Sequence, residues 1–233
     1  MADNPFTFDP SKPVMPDDEW DAYCAERDEQ GRRELETEWL DRYVETIPER
    51  FKGSTLANYE TPDPARVSAK QQVRAFIAGA SKSGPGLFLT GPVGIGKSHL
   101  VVAASKALVQ KGWRGRYLDV PAYLERLKAS FDRSSTCPDP RRVSEGIDFL
   151  VLDALDIDAP NAWTQSTIYS LVDGAYANNT LIIVTSNFDY HELATPARLG
   201  ERTGSRLVEV TQKIRPEIRD DWRKRIHKKQ RDS

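Results

Sequence analysis

The stretch Gly86-Leu-Phe-Leu-Thr90 runs directly into Gly91-Pro-Val-Gly-Ile-Gly-Lys97-Ser98 and then into Leu100-Val-Val-Ala-Ala-Ser-Lys-Ala-Leu108. This is G-x-x-x-x-G-K-[ST] in its working context, with an apolar strand before it and a helix after it. Glycine lets the backbone of Gly91, Pro92, Val93, Gly94, Ile95 and Gly96 curl so that its N–H groups converge on phosphate oxygens. The helix that begins around Lys97, Ser98 and His99 adds its positive N-terminal end. Lys97 is the cation for the β- and γ-phosphates, and the Ser98 hydroxyl is a ligand for Mg²⁺.

Downstream, Ile147-Asp-Phe-Leu-Val-Leu152-Asp153 and Leu181-Ile-Ile-Val184, the latter closed by Thr185-Ser186-Asn187, read as strands buried on both faces. Arg116 to Val120 makes a further strand. Helices are expected around residues 67–77, 98–112, 121–131 and 161–178, and a surface loop over 132–145. Strands alternating with helices imply a parallel sheet covered on both faces, right-handed crossovers, and ligands at the carboxyl ends of the strands. Asp153 is placed to share Mg²⁺ with Ser98, although a carboxylate there can also cap a helix. Asn187 is placed to contact the γ-phosphate or orient water, unless it serves only a turn. After Gly200, Arg202 and Arg206 precede a short apolar helix, and one of them is a candidate to reach the nucleotide of a neighbouring subunit.

Residues 1–50 carry 15 acidic and 6 basic side chains, leaving 20 and 27 of the chain's 35 and 33 for residues 51–233. An acidic head thus precedes a basic body, and a basic body points to an acidic partner such as nucleic acid. Residues 1–16 read as a disordered lead-in and 17–50 as an acidic helical segment. Its Trp20, Tyr23, Trp39 and Tyr43 either pack on the body or dock on a partner; the docking reading is preferred, because Trp and Tyr anchor interfaces. Residues 51–215 form the main domain and 216–233 a basic C-terminal helix or tail. Cys24 and Cys137 lack the spacing of a metal site. No apolar run reaches membrane-spanning length, so a cytoplasmic location is expected.

The ordered set Leu150-Val-Leu-Asp153, Thr185-Ser-Asn187, Gly200-Glu-Arg202 with Ser205-Arg206-Leu207, and Asp221-Trp222-Arg223 resembles the AAA+ helicase loaders of the DnaC type and their IstB transposition relatives. The resemblance extends over about residues 47–225. It implies an α/β fold with a five-stranded parallel sheet between helices and a minimal C-terminal lid. By it, Asn187 is sensor 1, Arg206 the arginine finger and Arg223 the sensor 2 arginine. The helix from Pro121 to Arg133 falls where such proteins carry an insertion facing single-stranded DNA. On it Tyr123, Lys128, Phe131 and Arg133 combine rings with cations, as a sequence-tolerant single-strand site requires.

One departure concerns chemistry. Loaders of this type usually have a second carboxylate after the first, whereas Asp153 is followed by Ala154, which cannot polarise water. Asp156 is a possible substitute with a different direction. A basic residue common in the helix before sensor 1 is also absent, Ala175 preceding Tyr176. The expected protein is therefore an ATP- and Mg²⁺-dependent loader of a replicative helicase that self-associates with ATP between subunits, its turnover weakened by Ala154. Its rivals are a transposition helper and an ATP-binding switch with little hydrolysis. A small-metabolite kinase fits poorly, since neither an acceptor pocket nor a lid with arginines is evident.

Overall fold

Successive residues of a strand point to opposite faces of its sheet, and this alternation divides the protein into two cores. Leu87, Leu89, Phe149, Val151, Leu181 and Ile183 project to one face. Phe88, Leu150, Leu152, Ile182 and Val184 project to the other. The computed structural model describes residues 40–131 and 137–216, which belong to the second of two units, Met1–Glu38 and Trp39–Ser233. Trp20, Tyr23, Cys24, Trp39, Arg133, Arg223 and the C-terminal helix or tail lie outside the described residues, as do the expected lead-in and most of the acidic segment.

In chain order the elements are α1 (Glu49–Lys52), α2 (Pro64–Gly79), β1 (Gly86–Thr90), α3 (Lys97–Val109), β2 (Gly115–Asp119), α4 (Val120–Phe131), β3 (Phe149–Asp153), α5 (Ala162–Ala177), β4 (Leu181–Ser186), α6 (Tyr190–Leu193), α7 (Glu201–Val210) and β5 (Thr211–Ile214). The strands form one sheet in the order β2-β3-β4-β1-β5, with every neighbouring pair parallel. Side chains of α2 and α3 fill the first core; those of α4, α5 and α7 fill the second. Helix starts follow capping rules: Asp63 accepts from the Arg66 N–H with Pro64 in the first turn, and Asn161 accepts from the Thr164 N–H. No helix among the described residues is long and apolar enough to cross a membrane.

Two sequence expectations are corrected, and one strand that the sequence left unlocated is added. The two arginines do not precede a helix, because α7 starts at Glu201 and contains both Arg202 and Arg206. The strand after it, β5, has the pattern buried, exposed, exposed, buried, which is too short and polar to read as a strand from sequence. The 132–145 region is not wholly surface: Val143 and Ser144 are buried, and a 3₁₀ turn at Pro140–Arg142 lies so close to α5 that a Cβ on Gly174 would meet the Arg141 carbonyl oxygen at 2.6 Å.

Tyr43 is also corrected. It is 2% exposed and meets Phe149 edge-on at a centroid distance of 5.5 Å, with Ile47 buried beside it in the first core. Residues 40–47 therefore belong to the folded body, and Tyr43 is no surface anchor. Tyr43→Ala is expected to cost about 3–5 kcal/mol, the range for emptying a large aromatic site. Urea unfolding checks this, and a cost near zero would contradict the placement.

Candidate nucleotide site

The carboxyl ends of β1, β3 and β4 face one cavity of about 470 Å³, a volume within the range of small-molecule sites. Val93, Gly94, Ile95, Gly96, Lys97 and Ser98 line it from the phosphate-loop side, and Asp153, Ala154, Asp156, Thr185 and Asn187 from the ends of β3 and β4. The loop holds Gly91, Gly94 and Gly96 at φ of 141°, 81° and 92°, which non-glycine residues adopt only under strain. A Cβ on Gly96 would in addition meet the Tyr59 ring at 2.7 Å.

Phe51, Asn58, Tyr59 and His99 form a further wall of the cavity. The Tyr59 hydroxyl donates to the Ile95 carbonyl at 2.9 Å, tying the segment before α2 to the loop. His99 keeps its Nε2 at 2.8 Å from the Thr55 carbonyl oxygen and its ring edge-on to Tyr59 at 5.3 Å. Apart from His99, this wall was not located in the sequence, since nothing in the residues around Tyr59 announces a pocket.

Asp153 is 3% exposed and has its charge met by three hydroxyls. Ser98 donates to Oδ1 at 3.1 Å, Tyr117 donates to Oδ2 at 2.5 Å, and Thr185 also donates to Oδ1. Burial, reinforced by the Asp153 charge, pushes the Tyr117 phenol far above its ordinary range, so Tyr117 stays a donor. One carboxylate beside one hydroxyl is an all-oxygen donor set, and it fits Mg²⁺, which takes one or two protein ligands and completes its shell with phosphate and water. Neither Tyr117 nor Thr185 was singled out from sequence.

Lys97 donates from Nζ to the carbonyls of Gly91 and Pro92 at 2.7 and 2.9 Å, and to Asn187 Oδ1 at 2.7 Å. The amide nitrogen of Asn187 donates in turn to Asp156. The structure thus brings together Lys97, Ser98, Asp153 and Asn187 as the sequence pattern expects, together with Asp156, the carboxylate read from sequence as a possible substitute at position 154. Burial raises the Asp156 carboxyl above its usual range, while the Lys97 charge draws it back.

Arg206 does not line this cavity. Its guanidinium lies 4.0 Å from the Tyr176 ring centroid, with Glu209 at 3.2 Å and Asp173 at 3.7 Å. Tyr123, expected among nucleic-acid contacts, is 1% exposed and donates to the Pro138 carbonyl at 2.9 Å, so it serves the second core. Phe131 is 65% exposed. It sits edge-on to Trp163 at 6.0 Å, and Lys128 Nζ lies 5.3 Å from the same indole. Trp163 replaces Tyr123 in this cluster; the sequence hides it because it belongs to α5, far along the chain from Phe131.

A parallel sheet in this order, carrying a phosphate loop after β1 and polar residues at the ends of β3 and β4, defines the AAA+ class of P-loop proteins. The chain belongs to the family of IstB-like ATP binding proteins, whose pattern matches residues 58–214. It is 25% identical over 190 residues to the replicative helicase loader DnaI of Bacillus subtilis, covering 78% of this chain and 61% of DnaI. It is 29% identical over 142 residues to a putative insertion sequence ATP-binding protein of Sinorhizobium fredii, covering 60% of this chain and 47% of that protein. A crystal structure of the DnaC helicase loader superposes with a TM-score of 0.63 at 26% identity, over 73% of this chain and 100% of that one. The chain therefore spans about half to three-fifths of the curated relatives.

Lys97→Ala is expected to weaken ATP binding by about 2–5 kcal/mol, the cost of truncating one partner of a buried charge contact. Titration of a fluorescent ATP analogue measures this; unchanged affinity in a folded variant would contradict the site.

Proposed function

We propose that this protein is an ATP-hydrolysing loader that delivers a replicative DNA helicase to single-stranded DNA. The observation that carries this reading is the extent of the match to DnaI, 78% of this chain against 60% for the insertion-sequence relative. The likeness to the DnaC loader structure supports it. A second reading, an ATP-dependent helper of a transposase, draws support from the IstB-like family match itself.

In the proposed cycle the loop Gly91 to Ser98 cradles the triphosphate and Lys97 faces the β- and γ-phosphates. The wall of Phe51, Asn58, Tyr59 and His99 takes the base. Ser98 and Asp153 hold Mg²⁺, which when bound neutralises phosphate charge. Asn187 senses the γ-phosphate. Arg206, steadied on Tyr176, acts as the arginine finger toward ATP bound by a neighbouring copy, and Arg223 acts as sensor 2. Guanidinium suits such a role because it is planar, always charged and able to contact several phosphate oxygens. Trp20, Tyr23 and Trp39 contact the helicase, and the protein works in the bacterial or host cytoplasm.

For DNA, the exposed Phe131 and Lys128 with the half-buried Trp163 offer rings for bases and a cation for phosphate, and Arg133 is the further cation of the same stretch of sequence. Stacking on an aromatic side chain is worth about 1–3 kcal/mol per base. Trp163→Ala or Phe131→Ala is expected to weaken single-strand binding by that amount, measured by fluorescence anisotropy, with affinity falling as salt rises. Equal affinity in variants and parent would remove this cluster from the DNA path.

The function itself is tested with a replicative helicase, closed circular single-stranded DNA and the full chain. Loading is expected to require both the chain and ATP, and to fail with Lys97→Ala. Absence of any effect on loading, together with stable capture by a transposase, would favour the second reading.

A further inference from the structure

The side chain that follows Asp153 in the chain is a methyl group, yet the cavity is not left without a further carboxylate near its phosphate-loop lysine. Ala154 takes a left-handed conformation, φ 59°, and donates its N–H to Thr185 Oγ1 at 2.8 Å. A non-glycine residue in that region is uncommon and marks a turn with a purpose or a strain. Here the turn sends Leu155 into the second core, fully buried, with its N–H on the Thr185 carbonyl at 2.9 Å. The next residue, Asp156, then reaches the cavity wall between Ala154 and Asn187.

Among the described residues four carboxylates line the cavity: Glu60, Asp119, Asp153 and Asp156. Asp153 is engaged by Ser98, Tyr117 and Thr185. Asp119 accepts from the Ala122 N–H at 3.1 Å at the start of α4. Glu60 comes from the segment before α2, next to Tyr59 in the chain. Asp156 alone of the four is hydrogen-bonded to Asn187, whose oxygen accepts from Lys97 Nζ at 2.7 Å. The order of these contacts is chemically forced: an ammonium can only donate and a carboxylate only accept, so the Asn187 amide must turn its oxygen to Lys97 and its nitrogen to Asp156. Asp158, two residues on, is 91% exposed and paired with Arg198 at 2.9 Å, so it is no competitor.

From this geometry we propose that Asp156 is the general base for ATP hydrolysis, a catalytic residue that takes over from the position occupied by Ala154. The proposal rests on the ATP-hydrolysing reading given above. As the water oxygen bonds to the γ-phosphorus, one water proton passes to the Asp156 carboxylate. The bond from the γ-phosphorus to the bridging oxygen breaks, and its electron pair leaves with ADP. Inorganic phosphate is released, and Asp156 returns its proton to solvent. The other half of its hydrogen bonding, through Asn187, ties the base to the lysine that faces the same phosphate. Burial makes a carboxylate a stronger base than an exposed one, which favours the role.

The test uses the full chain with single-stranded DNA and saturating ATP. Asp156→Asn is expected to reduce single-turnover hydrolysis on the order of 10²- to 10⁴-fold, the usual worth of a positioned base, with ATP affinity unchanged. Asp156→Glu, which keeps the carboxylate, is expected to retain part of the rate. Circular dichroism and thermal unfolding establish that both variants fold. Undiminished hydrolysis by Asp156→Asn while it still binds ATP would overturn the proposal and leave the ATP site standing. Loss of affinity in step with rate would also overturn it, since a base acts on the transition state and not on the bound phosphates. No hydrolysis by a parent that binds ATP would overturn it equally, and no ATP binding by the parent would overturn both readings.

Discussion

A carboxylate withdrawn from water needs its charge answered by hydrogen bonds, or its burial costs several kcal/mol. Asp153 obtains them from Tyr117 on β2, Ser98 at the start of α3 and Thr185 on β4. Three strands and the phosphate-loop helix are thereby registered to one another at the edge of the sheet where the cavity opens. The parallel pairing sets that register: Tyr117 faces Val151 and Asp119 faces Asp153 across β2 and β3, while Leu152 faces Val184 across β3 and β4. A slip of one residue would turn Asp153 toward the opposite face and empty the site.

Thr185 extends this constraint to the chain leaving β3. Its hydroxyl donates a hydrogen bond to Asp153 and accepts one from the Ala154 N–H, and its carbonyl accepts from the Leu155 N–H. The left-handed step at Ala154 is held from both sides, and the direction of Asp156 follows from it. Two hydrogen-bonded groups then stand side by side, one built on Asp153 and Ser98, the other running from Lys97 through Asn187 to Asp156. They meet at the end of β4, where only Ser186 separates Thr185 from Asn187.

Much of this arrangement was legible in the sequence because it is written in long apolar runs. β1, β3 and β4 are buried along their whole length, and the residues of the site lie at or just beyond their ends: the phosphate loop after β1, Asp153 closing β3, and Thr185 and Asn187 flanking the last residue of β4. β5 was not legible, since an edge strand with two exposed residues has neither an apolar run nor a clean alternation. Aromatic residues misled for a different reason. Tyr43 and Tyr123 have the composition of surface anchors, but whether a ring faces core or solvent depends on elements distant in sequence, and both proved buried. Trp163 was overlooked because only the packing of α4 beside the start of α5 puts it next to Phe131. The contact from Asn187 to Asp156 depends on the backbone turn at Ala154, and alanine carries no sequence signal for a left-handed conformation.

The central claim is that the carboxyl edge of the sheet binds ATP through a lysine and a separate oxygen pair suited to Mg²⁺. Calorimetric titration of the full chain with ATP, with Mg²⁺ and then with a chelator, tests it most directly. Binding is expected to weaken by about tenfold or more, at least 1.4 kcal/mol, when Mg²⁺ is removed, and this difference is expected to vanish in Asp153→Asn. Absence of ATP binding, or an affinity indifferent to Mg²⁺ in the parent, would contradict the account.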